Sequence, residues 1–200
     1  MESTLQGIDE RAADLLFLEA QTAYHFDETP IPDEQLDRIY ELMRFPPTAM
    51  NSQPLRITYV RSEEAKARLL PLLARGNRAK SQSAPVVALL AADTDFHRNL
   101  PRLMPHAPSA GERFARSDEA RNKFAKFNAT LQSGYFILAA RAAGLDAGPM
   151  TGIDSQAIDA EFFAGTGLRT FMAVNLGTVA PGSTYPRAPR LERNEAVSVL

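Results

Sequence analysis

Ten residues, Phe45-Pro-Pro-Thr-Ala-Met-Asn51-Ser-Gln53-Pro54, carry three prolines, an asparagine and a glutamine between a helical pattern and a strand pattern. Pro46 and Pro47 fix φ and remove two backbone donors, so the chain must leave its helix there. The stiff turn that follows offers hydroxyl and amide groups, Thr48 and Asn51 among them, and no charge. Such a surface suits a planar, neutral, hydrogen-bond-rich heterocycle better than a phosphate or a metal; the plainer reading is an ordinary helix-to-strand turn. Gly76-Asn77-Arg-Ala-Lys80 sets an amide donor and an ammonium one helical turn apart, either for a ligand or as a solvated helix end. Gly144-Leu-Asp-Ala-Gly148-Pro-Met150-Thr151-Gly152-Ile-Asp154 holds glycines that let backbone approach a ligand closely or cap a helix and turn tightly. Arg187 and Arg190 lie in a proline-stiffened tail, where guanidinium forks either bind a phosphate or stand in solvent.

The elements that must position these groups follow from periodicity. Ile8, Ala12, Leu15 and Leu16 mark a first amphipathic helix, and Leu36, Ile39, Tyr40 and Met43 a second, with Asp33 as its expected N-cap. Arg56–Val60 reads as a strand. Ser62 and two glutamates open a helix that Gly76 is expected to end. Val86–Ala92 is apolar on both faces and should be an interior strand. Residues 93–111, rich in proline, read as a long surface loop. Phe124, Phe127, Leu131, Tyr135, Leu138 and Ala142 recur at helical spacing and predict one long helix, about Glu119–Ala143, capped by Gly144. Its apolar positions are broad enough to serve both a core and a partner. Ile158, Phe162 and Phe163 suggest a short helix, and Thr170–Leu176 a buried strand. The pattern is α+β, without regular βαβ alternation, and 1–200 reads as one domain.

Composition excludes several chemistries. There is no cysteine, hence no disulfide, thiolate nucleophile or thiolate metal site. A formal charge of −2 argues against a general nucleic-acid binder. The acidic start, Met1–Glu10, lacks an apolar signal core, and no apolar run is long enough to span a membrane, so a cytoplasmic location is expected. No glycine-rich dinucleotide fingerprint, Walker loop, paired-histidine zinc motif or nucleophile elbow occurs. Asp93, Asp95 and His97 lack a suitable fourth ligand, so no metal site is expected. With no catalytic side chain evident, the chemistry must come from a cofactor.

The proline turn resembles the Pro-Ser-Ser-x-Asn-x-Gln-Pro stretch of the FMN-dependent nitroreductase family. Asn77 and Lys80 match that family's Asn-x-x-Lys, and Gly144–Asp154 is similar to its stretch Gly-Leu…Pro-(Met or Ile)-x-Gly-(Phe or Ile)-Asp. The resemblance implies a nitroreductase-like fold, a mainly antiparallel central sheet flanked by helices, in an intertwined homodimer with FMN at the interface and NADH or NADPH as reductant. It also implies that hydride is carried by flavin N5, with no protein catalytic residue. Carried over residue by residue, it assigns cofactor contact to Pro47, Thr48, Ala49 and Asn51 of the turn, to Asn77 and Lys80, and to Met150, Thr151 and Gly152. Thr151 matches the backbone donor to N5, and a lysine at the pyrimidine edge stabilises negative charge that reduction places there. Thr22, Arg187 and Arg190 are assigned to the phosphate end. The first helix departs from the family's Arg-Arg-Ser-x-Arg-x-Phe: Ala20-Gln21-Thr22-Ala23-Tyr24-His25-Phe26 keeps only Thr22 and Phe26 in character, which shifts phosphate binding onto the tail.

Further stretches, including Glu28-Thr-Pro30, Ile39–Met43, Phe162-Phe-Ala-Gly165 and Pro189-Arg-Leu191, are similar to the malonic-semialdehyde reductase branch. That similarity implies reduction of malonic semialdehyde to 3-hydroxypropionate in pyrimidine catabolism. The alternatives are a broad nitro or quinone reductase and a non-catalytic dimer without flavin, the last favoured by Gln21 and Tyr24. An acidic substrate would need a cation near N5, which Arg56 could supply unless it faces solvent.

Overall fold

The computed structural model describes residues 7–200; the acidic start Met1–Gln6 lies outside them. Leu55–Val60 (β1), Val86–Asp93 (β2), Asp146–Met150 (β3) and Leu168–Gly177 (β4) form one antiparallel sheet in the order β1-β2-β4-β3. The continuous apolar run of β2 is explained by its place: it pairs on both edges and is buried along all but its last residue. β3 is an element that the sequence reading took for a glycine-rich loop. It is short, begins right after a helix and contains Gly148 and Pro149, which mask a strand pattern but fit an edge strand. Gly148 is required there, because a Cβ would come within 2.8 Å of the Ala23 carbonyl oxygen.

Asp118–Ala142 (α6) crosses one face of the sheet with Asp33–Met43 (α2) beside it. Ser117 caps α6, accepting from Ala120 N at 3.2 Å, and Gly144 turns the chain out with φ +82°. The buried stripe of α6 is Ala125, Asn128, Ala129, Gln132, Ser133, Phe136, Ala139 and Ala140. Small residues let the helix approach the sheet closely. Of the larger apolar residues in the predicted stripe, Phe124 packs on Phe96 and Leu138 is half-buried, whereas Phe127, Leu131 and Tyr135, four residues apart, are 72%, 42% and 41% exposed. α2 begins with Asp33 inside its first turn rather than as the cap, which Pro32 provides.

The opposite face is covered by Glu63–Leu69 (α3), Arg75–Ser83 (α4) and Ser155–Phe162 (α7), with Leu69, Leu73 and Ile158 packed on Val87, Leu89 and Ala173. Gly76 does not end α3. Pro71 and a short 3-10 turn, Leu70–Leu72, do so, and α4 starts afresh with Gly76 in its first turn. Asn77 and Lys80 therefore share one helix, near its beginning and its end.

Residues 93–111, expected as a surface loop, are largely helical turns. Phe96–Asn99 is a 3-10 turn, Leu100–Leu103 a short helix (α5) and Pro108–Arg116 a further 3-10 stretch, with Phe96, Leu100 and Phe114 buried. Two of the segment's prolines, Pro101 and Pro108, sit at helix starts, where the missing N–H is not needed, and Pro105 lies in the turn between. At the N-terminus, Glu10–Ala13 (α1) widens into a π turn, Asp14–Leu18. The expected inward stripe fails, since Ile8 and Leu15 are 59% and 50% exposed. Arg193–Ala196 (α8) is a last single turn beyond the extended tail.

Phe96 is fully buried, stacked on Phe124 at 5.2 Å and edge-on to Phe114 at 5.0 Å. Phe96→Ala should cost about 3–5 kcal/mol of stability in urea unfolding. A loss below about 1 kcal/mol would show that the segment covers the core without belonging to it.

Candidate functional site

The proline turn is built by hydrogen bonds from α6 and from itself. Asn128 Oδ1 accepts from Ala49 N at 2.7 Å, and Gln132 Oε1, one turn on, accepts from Leu55 N at 3.0 Å. Between these anchors Met50, Asn51 and Gln53 adopt φ of 59°, 48° and 42°, a region that residues with a Cβ rarely adopt. Asn51 Nδ2 donates to Leu103 O at 2.8 Å and its Oδ1 accepts from Gln53 Nε2 at 2.7 Å; Thr48 Oγ1 accepts from Gln53 N at 3.2 Å. The polar atoms expected to greet a ligand are thus engaged in shaping the turn, while Pro47, Ala49 and Asn51 remain exposed. Arg56 is committed elsewhere: it pairs with Asp93 at 2.6 Å and donates to the carbonyls of Gln53 and Leu55. It braces the turn and is not a free cation for an acidic substrate.

A second group forms around α4 and the end of β3. Asn77 Nδ2 donates to Gly152 O at 2.7 Å, and Ala74 N donates to the same oxygen at 2.9 Å. Leu73 and Ile153 form an isolated β-bridge beside them. A Cβ on Gly152 would lie 2.7 Å from Asn77 Nδ2 and 3.2 Å from Ala74 Cβ, so this close approach needs glycine. Thr151 is held at the rim, exposed, by these neighbours. Met150 points inward: it is buried, and its sulfur accepts from Ser81 Oγ at 3.7 Å.

Lys80 faces the other way, its ammonium 5.5 Å from the Tyr24 ring centroid, and Tyr24 meets Tyr185 edge-on at 4.7 Å. Partial burial holds the Lys80 ammonium below the usual lysine range. Tyr24 thereby connects α4 to a cavity of about 480 Å³ lined by Thr22, Arg187, Arg190, Gln21 and Arg141. Arg187 donates to the carbonyls of Leu18 and Ala20, Arg190 to those of Ala188 and Pro189. Arg141 donates to Leu16 O at 3.3 Å and Gln21 O at 3.4 Å. Burial lowers its pKa, Arg187 lowers it further and Asp146 partly offsets both. No carboxylate lines the cavity, and among the described residues none of Lys80, Arg141, Arg187 and Arg190 has an ion-pair partner. The donor set fits an anion.

Within one chain the structure therefore joins Thr22, Asn77, Lys80, Met150, Thr151, Gly152, Arg187 and Arg190 into one neighbourhood. Pro47, Thr48, Ala49 and Asn51 form another, and among the described residues no hydrogen bond links the two. Two members escaped the sequence reading. Tyr24, taken there only as a departure from a basic motif, seats the Lys80 ammonium. Arg141 carried a legible signal, a lone charge in the apolar run Leu138-Ala-Ala-Arg141-Ala-Ala143.

The Gly152–Asn77 approach gives a test by double-mutant cycle. Gly152→Ala should destabilise the protein less in an Asn77→Ala background than in the wild type, with a coupling of about 0.5–1 kcal/mol in urea unfolding. Additive losses would show that the Asn77 amide does not hold this loop.

Residues 19–178 match the model of the nitroreductase family. A Leptothrix cholodnii protein is 48% identical over 194 residues, covering 97% of this chain and 98% of its own, and a Streptomyces coelicolor protein is 47% identical over 193 residues, covering 96% and 98%. Both bear the provisional name NADH dehydrogenase/NAD(P)H nitroreductase. Among solved structures, an Exiguobacterium sibiricum protein provisionally named a nitroreductase and crystallised with FMN superposes with a TM-score of 0.81 at 22% identity, covering 98% of this chain and 99% of its own. A Bacillus subtilis protein of the same provisional name gives 0.80 at 24% identity, covering 92% and 97%. The α+β architecture expected from the sequence is the nitroreductase fold, and the chain belongs to the nitroreductase family.

Proposed function

We propose that this chain is an FMN-dependent NAD(P)H oxidoreductase, a single domain over residues 1–200 that works in the cytoplasm as a homodimer on a small-molecule substrate. The observation that carries the reading is a set of cations that form no ion pair among the described residues, Arg141, Arg187 and Arg190 around one cavity and Lys80 on the ring of Tyr24 at its edge, on this fold. Bound FMN would supply hydride transfer between a nicotinamide and an acceptor. The protein's part is position and charge. Asn77, Lys80, Met150, Thr151 and Gly152 would hold the ring, Met150 and Gly152 through backbone. Thr22, Arg187 and Arg190 would hold the phosphate end. Lys80, short of water and without a counter-anion, would favour negative charge on the adjoining ring edge.

Pro47, Thr48, Ala49 and Asn51 would meet the flavin of the other subunit. The support is the separation of the turn from the Lys80 neighbourhood within one chain, together with the exposed ridge Phe127, Leu131 and Tyr135 on α6. An apolar ridge of this kind marks an interface.

For the acceptor we propose malonic semialdehyde, reduced to 3-hydroxypropionate; its support is the branch-like stretches of the sequence. The names of the relatives favour a second reading, a reductase of nitro compounds. Comparing NAD(P)H oxidation with malonic semialdehyde, a nitroarene and a quinone separates them. A rate with the semialdehyde no better than with the other two would remove it as the favoured acceptor.

The protein should purify yellow with about one FMN per subunit, and Lys80→Ala should lower the reduction potential of the bound flavin. A colourless protein that also refuses added FMN would favour the non-catalytic dimer instead. An unchanged potential would reduce Lys80 to a cation seated on Tyr24.

A mixed dimer with Asn51→Ala in one chain and Lys80→Ala in the other should contain one doubly damaged site and one intact site. Its activity should be about half that of the wild type if each site draws on both chains. Activity no higher than in the two mutant homodimers would place the turn and Lys80 in the same chain's site.

A further inference from the structure

The cavity between the end of the first helical segment and the tail has a charge balance that its two tail arginines do not explain alone. Arg141 enters it from α6, a rigid element, whereas Arg187 and Arg190 enter from an extended segment. Only two of the five guanidinium N–H groups of Arg141 are placed, on Leu16 O and Gln21 O, leaving donors for a further acceptor. Asp146, which acts on Arg141 more strongly than Arg187 does, lies with Asp14 and Glu19 around an adjoining cavity, whereas the cavity that Arg141 shares with Arg187 holds no carboxylate, and Gln21, whose carbonyl it holds, brings no charge. An anion between the two arginines would satisfy both.

We infer that Arg141 is a phosphate-positioning residue: from α6 it supplies the fixed cation that residues 20–24 lack and, with Arg187, grips a phosphomonoester from two sides. The inference rests on the FMN reading and deepens it. Arg141 reaches no reacting atom. Its effect falls on retention and on discrimination between FMN and its dephosphorylated form, riboflavin. Because its other hydrogen bonds hold the carbonyls at the end of the π turn, phosphate binding also ties the first helical segment to α6.

The test titrates apoprotein with FMN and with riboflavin, following flavin fluorescence at two salt concentrations, alongside thermal melts without flavin. Arg141→Gln should weaken FMN binding about tenfold to a hundredfold, the scale of lost charge-assisted hydrogen bonds. Riboflavin binding should change less than about threefold, and the salt dependence of FMN binding should become shallower. Equal losses for both flavins, or no loss for either, would overturn the inference and make Arg141 a structural clasp. A wild type that binds neither flavin would instead refute the FMN reading itself. Should Arg141→Gln fail to fold, Arg141→Lys asks the same question. An ammonium without the fork should still lose FMN several-fold more than riboflavin, and parallel losses would overturn the proposal.

Discussion

Two buried amides one helical turn apart, Asn128 and Gln132 of α6, accept from the backbone at each end of the proline turn, and most of the site depends on this pairing. A buried amide without partners would destabilise the core, whereas a backbone N–H left without an acceptor would do the same to the turn. Each satisfies the other. The bond is also a gauge: it fixes the separation between Ala49 and Leu55, and so forces the residues between them to turn tightly enough for three non-glycine residues to adopt positive φ. The turn does not relax because its ends are held by the helix that carries the core.

The same economy governs the other half of the site. Gly152 O receives two donors, from Ala74 N and Asn77 Nδ2, and this fixes the end of β3 against the start of α4. Lys80, near the end of the same helix, is then placed by geometry rather than by a counter-ion, resting on the Tyr24 ring. A carboxylate at that point would have been the cheaper partner in an empty site, but it would also repel an anionic ligand. An aromatic face steadies the ammonium while leaving its charge for use. Arg141 and Arg187 follow suit, held by neutral carbonyls.

Much of this was legible in the sequence, and the failures have physical causes. The doubly apolar β2 and the long α6 announced themselves by composition and period. β3 did not, since Gly148 and Pro149 look like loop residues, and only its pairing with β4 makes them an edge strand. The helical turns within 93–111 were not legible because proline marks both loops and helix starts, and the burial of Phe96 and Leu100 is settled by tertiary packing. On α6 the sequence showed apolar positions broad enough for a core and a partner, without saying which of them face the sheet. Phe127, Leu131 and Tyr135 are the exposed members, whereas the buried side carries Phe136 together with alanine, serine and the two amides. Small residues let most of that side approach the sheet closely, Phe136 fills the core between them, and Phe124 packs on Phe96. Of the site itself, the motif residues were readable, but their grouping was not, and the side chains that seat Lys80 and flank Arg187 came from positions no motif covered.

The division of α6 into a buried side and an exposed apolar ridge bears on how such a site can be complete. The polar atoms of Thr48 and Asn51 are turned to internal use, so the exposed surface of the turn is neutral and suited to lie against a flat ring rather than to bind one alone. The cations and the Gly152 rim lie in a different neighbourhood of the same chain, where they can hold the charged and polar edges of a ligand but offer no second flat wall. Neither neighbourhood encloses a heterocycle, and each lacks what the other has. In the homodimer proposed above, the exposed apolar ridge on α6, the helix that anchors the turn, would bring one chain's turn over the other's cations. Packing, not an extra catalytic side chain, is what this fold has left to contribute.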